Sequence, residues 1–333
     1  MLQHVILSRT DNLGDVLFTL PMARFLKKTW PGVKVSFIGK RYTQPIIGSC
    51  RYIDAFLDRE ILLSAGEMPR ADAICMVFPD RAVAALAKKQ DISVRVGTSH
   101  RLFHWWYCNR LVNFSRIRSG LHEAQLNFRL FRPLGLEATP SLQELGSWYG
   151  LEPNLSLPPL WEELAAAPRF CLIIHPKSKG SAREWPMAHY HRLVQQLPTG
   201  QYWVLVSGTA DEGARIKAEC PEIFQHPHVR DLTGALSLEA FMTVIAHADG
   251  LLACSTGPLH IAAALGRHCL GLYPSRKPMH PGRWGPLGPR ASYLETDQVP
   301  GLAKGSDRVD AIPVEQVLAQ ISTWHKLSPH RLP

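Results

Sequence analysis

With 333 residues, 46% of them hydrophobic and 20% charged, the chain has the composition of a folded globular protein with room for two medium-sized cores, which excludes a disordered or low-complexity polypeptide. Its formal net charge of +9 implies an acidic partner, whether a phosphorylated sugar, an anionic membrane surface or nucleic acid. No apolar run approaches the ~18 residues of a membrane span, no secretory cleavage pattern follows the first residues, and seven cysteines without a C-x-x-C spacing fit reduced, buried thiols, so a cytoplasmic location is expected.

In chain order, Val5 to Leu7 read as a first apolar strand and Ser8 to Asp15, SRTDNLGD, as a polar loop. A helix from about Val16 to Lys28 follows, stopped by Pro31-Gly32, and Lys34 to Ile38 form a second strand. This is a βαβ unit whose loop leaves the carboxyl end of the first strand, the position that lines the ligand crevice of open parallel sheets, so Asp11 and Asp15 are candidate site carboxylates. Strands are expected at Ala73 to Phe78 and Val94 to Val96, with a helix from Arg81 to Lys89 between them. The stretch His100 to Arg132 interleaves arginines with Phe103, Trp105, Trp106, Tyr107 and Phe114. That composition suits a phosphorylated or lipid-linked substrate, since arginine binds phosphate bidentately and tryptophan prefers interfaces; it equally suits a helical surface over buried aromatics. No RNA-binding signature accompanies it, so nucleic acid is not expected as a partner.

Residues 133 to 168 are rich in proline and glycine and read as a linker, which divides the chain into an N-terminal domain at 1–160 and a C-terminal domain at 161–333. The α/β pattern then restarts. Phe170 to Ile174 is a strand, His175 to Trp185 a polar loop, Met187 to Leu197 a helix opened by Pro186, and Tyr202 to Val206 a strand. Ser207 to Gly213 is a loop, with helices from Ala214 to about Glu219 and from Leu238 to Ala248. Leu251 to Cys254 form a short buried strand, Ser255 to Pro258 a turn, and Leu259 to Gly266 a small-residue helix leading to the strand His268 to Tyr273. A helix start leaves N–H groups unpaired at the positive end of its dipole, so this turn is a candidate phosphate site. His280 and Arg283 lie in HPGRWGPLGP, readable as an anion loop or as a proline-braced turn, and a last helix runs from about Val314 to Lys326. Two successive α/β units predict two doubly wound domains facing each other across a cleft.

Several signatures are missing from the sequence: G-x-x-x-x-G-K-[ST], G-x-G-x-x-G, D-x-D, H-E-x-x-H and the G-x-S-x-G elbow. No metal-ligand spacing stands out among the dispersed histidines, and no cofactor is implied. The remaining chemistry is a carboxylate on one loop set and cationic, hydroxyl-bearing loops on the other. A carboxylate can take the proton of an attacking hydroxyl, a role that fits Asp15. A diphosphate leaving group can be neutralised by helix N-termini and cations, a role that fits Lys179, Ser181 and Arg183 with Thr256 and Gly257. Glu212 can accept hydrogen bonds from ribose hydroxyls.

The motifs SRTDNLGDVLFTLPMARFLKKTWPG, HPKSKGSAREWP, SGTADEG and STGPLHIAAALG, in that order, resemble glycosyltransferase family 9, typified by the ADP-heptose:lipopolysaccharide heptosyltransferases. The resemblance covers nearly the whole chain. It implies a GT-B architecture of two Rossmann-like domains, the first on the acceptor side and the second binding a nucleotide sugar, and metal-independent, inverting transfer of a sugar such as heptose onto a lipopolysaccharide core or related envelope glycan. Asp15 matches the family's proposed general base. Arg183 stands where the family commonly has lysine, Glu212 matches the glutamate at the donor ribose, and Thr256, Gly257 and His260 match the T-G-x-x-H loop. Asn12 and Gly14, with Arg118, His122 and Glu123 of RSGLHEAQLN, fall on the acceptor side. Ser255 departs from the family, which carries aspartate there. An acceptor borne on lipid would bring the protein to the anionic inner-membrane surface. Competing readings of the same residues are a non-catalytic nucleotide- or glycan-binding protein and a nucleotide-sugar hydrolase or epimerase.

Overall fold

The computed structural model describes residues 1–116, 118–153, 157–180 and 182–327. The chain divides into two compact units, Met1–Glu152 and Pro153–Pro333. In the first, β1 (His4–Ser8), β2 (Lys34–Gly39), β3 (Ala55–Asp58), β4 (Ala73–Met76), β5 (Val94–Thr98) and β6 (Arg110–Val112) form one sheet in the order β3-β2-β1-β4-β5-β6. In the second, β7 (Phe170–His175), β8 (Tyr202–Val206), β9 (Val229–Asp231), β10 (Gly250–Cys254), β11 (His268–Tyr273) and β12 (Ala291–Glu295) form another in the order β12-β11-β10-β7-β8-β9. Every pairing is parallel, with Val5 opposite both Val35 and Ala73, and Leu172 opposite Gly250. Each unit therefore has the doubly wound order 3-2-1-4-5-6 of a dinucleotide-binding fold. Strand order reverses between β1 and β4 and again between β7 and β10, and loops at such reversals are the usual ligand sites.

The expected strands are all present, and they are the interior ones. Apart from β5, buried only at Val96 and Gly97, their residues are buried along nearly their full length, as parallel strands covered on both faces require. Beneath them lie two apolar clusters, one around Ile6, Ile38, Ile74 and Val83, the other around Trp185, Tyr190, Leu252 and Trp324. All seven cysteines are buried free thiols, as expected.

The helix expected from Ala214 begins at Ala210, so Glu212 lies in a first helical turn and not in a loop; two further features differ from the sequence reading, and a last one settles an alternative it left open. The helix expected from Val16 to Lys28 is two helices, Leu13–Leu17 and Leu20–Thr29, with Pro21 opening the second, so Asp15 sits in a first helical turn and not in a loop. Part of the expected linker belongs to the first unit. The helix Leu142–Gly146 has a capping box, Leu145 and Tyr149 are buried, and Leu151 bridges to Cys50. The segment from His280 is a braced turn: Pro281–Trp284 is one helical turn, the Tyr273 hydroxyl donates to Trp284 O at 2.8 Å, and Trp284 Nε1 donates to Pro278 O at 3.0 Å.

Candidate functional site

Unit one gathers charge where β1 ends. The strand runs apolar to Leu7 and continues through Ser8 into Arg9, whose side chain is only 4% exposed and whose N–H donates to Ile38 O at 3.0 Å. A guanidinium so buried must be paired. Arg9 Nε donates to Asp11 at 2.8 Å, one terminal nitrogen donates to Asp15, and the other lies 3.4 Å from both Glu123 and Asn127. Arg116 joins from the far side, donating to Glu123, to Asn127 at 3.1 Å and to Val77 O at 3.3 Å. Asn127 is fixed in turn by its own amide, which donates to Phe18 O at 3.0 Å.

Within this network the Asp15 carboxyl is 14% exposed. Burial pushes it up to about 6; the Arg9 guanidinium pulls it down, and the Asp11 and Glu123 carboxylates push it up again. A carboxyl titrating there is ionised at neutral pH yet basic enough to accept a proton. Asn12 is exposed and Gly14 half-buried in the same turn.

The remaining acceptor-side residues are placed differently from one another. His122 is buried and caps the helix Glu123–Asn127, with Ala124 N donating to its Nδ1 at 3.1 Å, and Glu123 is the buried partner of Arg9 and Arg116. Both serve the interior of the unit. Arg118 is exposed. A cavity of about 560 Å³ opens beside β4, lined by Arg59, Phe78, Pro79, Asp80, Arg81, Ala82 and Ala85. Asp80 ties it to the β1 loop: it accepts from Thr10 at 3.1 Å and from Arg59 at 2.5 Å while capping the helix Arg81–Lys89. Burial pushes the Asp80 carboxyl up, but Arg59, the Val83 N–H and Thr10 together hold it below the usual carboxylate range.

Unit two repeats the arrangement. After β7, His175 Nδ1 lies 3.1 Å from Ser207 Oγ, and burial holds its imidazole below the usual histidine range. Lys177 is buried and committed to Glu219 and, at 3.5 Å, to Glu184. Lys179 is exposed beside Gly180, whose φ of +77° turns the loop. Ser181 lies outside the described residues. Arg183 is exposed and pairs with Asp307 at 2.9 Å, while Trp185 anchors the end of the loop through Nε1 to Ile312 O at 3.0 Å.

Glu212 is buried in a capping box: its Oε2 accepts from Thr209 N–H at 2.7 Å, and its own N–H donates to Thr209 Oγ1 at 3.3 Å. After β10 come half-buried Ser255 and buried Thr256, then the helix Gly257–Ala264 with buried His260. Thr256 occupies the cap position without capping, and among the described residues its buried Oγ1 has no hydrogen-bond partner. A buried hydroxyl left unpaired beside unpaired helix N–H groups suits an anionic ligand oxygen. Ser255 lies beside buried Tyr273, whose hydroxyl donates to Trp284 O at 2.8 Å. Lys179, Arg183, Glu212, Ser255, Thr256, Gly257 and His260 thus all lie in loops or first turns following β7, β8 and β10.

Sequence reasoning missed Arg9, Arg59, Asp80 and Tyr273, and read Arg116 only as one arginine of the basic aromatic stretch. A charged residue directly after an apolar strand was the available signal for Arg9. The others come from distant segments and carry no local one.

The model of Glycosyltransferase family 9 (heptosyltransferase) matches residues 82–306. The chain belongs to this family. A Haemophilus influenzae protein, itself named as a glycosyltransferase by inference, is 26% identical over 347 residues, covering 97% of each chain. Two Escherichia coli structures share the fold, each at 19% identity. Heptosyltransferase WaaC with ADP superposes with a TM-score of 0.72 over 96% of this chain and 99% of its own. ADP-heptose lps heptosyltransferase II gives 0.73 over 98% and 99%. The architecture of the family 9 enzyme is therefore the GT-B fold of two Rossmann-like units. Among the described residues no helix is long and apolar enough to cross a membrane.

Proposed function

We propose that this family 9 glycosyltransferase transfers a sugar, with inversion and without a metal, from an ADP-linked donor to a phosphorylated glycan of the lipopolysaccharide-core type. The observation that carries the reading is Asp15, a carboxyl held near neutral titration by burial at the end of β1. In this reading Asp15 takes the proton of the acceptor hydroxyl as it attacks the anomeric carbon, and the sugar–phosphate bond breaks with its electron pair going to ADP. Arg9 and Glu123 position Asp15 without touching substrate. Unit one is the acceptor side, where Asn12, Gly14, Arg118 and the cavity of Arg59 and Arg81 would receive an anionic glycan.

Unit two is the donor side. Thr256, the N–H groups opening the helix Gly257–Ala264, and the cations Lys179 and Arg183, with Ser181, would receive the diphosphate charge. Glu212 would receive the ribose and Ser255 the sugar. The adenine base is supported by the ADP named for the Escherichia coli structure, and the glycan class by the lipopolysaccharide named for the other.

The test is thermal unfolding in EDTA against ADP, UDP, GDP and CMP, each at about 100 times a plausible Kd, where a specific ligand adds about 2.7 kcal/mol. A shift with ADP alone is expected. No shift with any nucleotide would overturn the donor assignment. Asp15→Asn should keep the ADP shift while transfer falls by about 100-fold or more, and near-normal turnover would remove Asp15 from the mechanism.

A further inference from the structure

One turn of unit one exposes what folded proteins normally bury. In the helix Leu102–Tyr107, Leu102, Trp105 and Trp106 are 77%, 63% and 66% exposed. This is not a frayed segment. His104 of the same turn is fully buried, Phe103 and Tyr107 pack against the apolar cluster under β4, and Gly97 is the residue that lets the turn dock. A Cβ at Gly97 would stand 2.8 Å from both Cys108 Sγ and His104 Nδ1. The Trp105 ring is also fixed, since its Nε1 donates to Ser99 O at 3.1 Å. Its one polar atom is satisfied within the chain, so the exposed remainder is apolar.

The surroundings are basic. Residues 80–123 hold eight arginines and lysines against three acids, Asp80, Asp91 and Glu123, a net charge of +5. Lys88 donates from its Nζ to Trp106 O at 2.9 Å, and exposed Arg101 and Arg110 flank the turn in sequence. Three protruding apolar side chains in a basic field do not make a protein interface, which needs roughly 800 Å² per partner. They do match an anionic lipid surface, where tryptophan settles at the headgroup level and cations meet phosphate. We propose that Leu102, Trp105 and Trp106 insert into the interface of an anionic phospholipid bilayer, with Lys88, Arg101 and Arg110 against its headgroups. This holds the enzyme peripherally, and it rests on no part of the transfer reading.

The test is co-sedimentation of the full chain with vesicles of phosphatidylcholine alone and of phosphatidylcholine mixed with phosphatidylglycerol. Binding should require phosphatidylglycerol and weaken with salt. Trp105→Ser with Trp106→Ser should lower the partition coefficient about tenfold or more, and Arg101→Glu with Arg110→Glu should abolish the preference for phosphatidylglycerol. Both pairs are on the surface, so the unfolding midpoint should stay put and report an intact fold. Wild-type protein that stays in the supernatant, or a tryptophan variant that binds like wild type, would overturn the proposal. So would self-association without lipid that the tryptophan variant abolishes, which would assign the patch to a second copy of the chain.

Discussion

Arg9 decides the protonation state of Asp15, and its removal has a calculable consequence. Burial and the two neighbouring carboxylates all raise Asp15, and Arg9 opposes them, leaving the group at about 6. With that value about 0.9 of the protein carries an ionised Asp15 at pH 7. An opposite charge within direct contact is worth about 1–3 pKa units. Arg9→Met should therefore move the acid limb of kcat/KM from about pH 6 to between about 7 and 9, leaving between about half and one hundredth of the protein competent at pH 7. Activity should fall about twofold to 90-fold there and recover in alkaline buffer. Arg9→Lys keeps the charge and should move the limb less. Asp11→Asn removes a charge that raises Asp15, so its limb should move below that of wild type. The assay is initial rate of transfer against pH at subsaturating donor. Opposite displacements in the Arg9 and Asp11 variants cannot arise from general loosening of the fold. If Arg9→Met lowers the plateau and leaves the limb in place, Arg9 does not govern Asp15 and the reasoning fails.

Other outcomes follow from the same structure. Asp15 is raised on folding, so its ionised form costs stability, and the cost is present above its folded value and vanishes as pH falls towards 3.8. Asp15→Asn should therefore unfold at higher urea than wild type at pH 8, by up to about 3 kcal/mol, with the gap closing near pH 4; equal midpoints at pH 8 would contradict the buried carboxylate. Ser255→Asp should change the ranking of ADP-linked sugars in kcat/KM by about tenfold while leaving the thermal shift with ADP intact, because it alters only the position assigned to the sugar; an altered ADP shift would place Ser255 at the diphosphate. Trp185→Ala should cost about 3–5 kcal/mol in urea unfolding, since the side chain is 1% exposed and its N–H is bonded to Ile312 O.

What the sequence revealed follows from how parallel sheets bury their strands. β1, β2, β4, β5, β7, β8, β10 and β11 were legible as apolar runs. The four that were missed are β3, β6, β9 and β12, the outermost strand at each end of each sheet. One face or end of an edge strand meets solvent, so its side chains are mixed: β3 is half-buried throughout and β6 reads Arg-Leu-Val. The break at Phe18-Thr19 was hidden because a proline in a first helical turn looks the same as one inside a continuous apolar stripe. The candidate site was legible wherever a motif follows a strand, as at Asp15, Glu212 and Thr256. What was illegible was pairing across more than 100 residues: Glu123 was named only on the acceptor side, and nothing local tied it or Asn127 to Arg9.

The placement of charge in unit one argues for function on grounds independent of family. A buried cluster of two guanidiniums and three carboxylates is a poor way to stabilise a sheet, since desolvation cancels most of the attraction and apolar replacements of similar volume serve as well or better. The rest of the unit obeys the economical rule: β1, β2 and β4 are filled with valine, isoleucine, phenylalanine and methionine. The exception falls at the carboxyl end of β1, beside the reversal in strand order, where the backbone has already turned out of the core. In unit two the corresponding reversal holds the unpaired hydroxyl of Thr256 and an exposed cation, Lys179. Each sheet thus holds charged or unpaired polar groups at the strand reversal its topology leaves open to a ligand, which under the proposed function are a proton acceptor in the first and hydrogen-bond donors to an anion in the second. Glycosyl transfer from a diphosphate needs both.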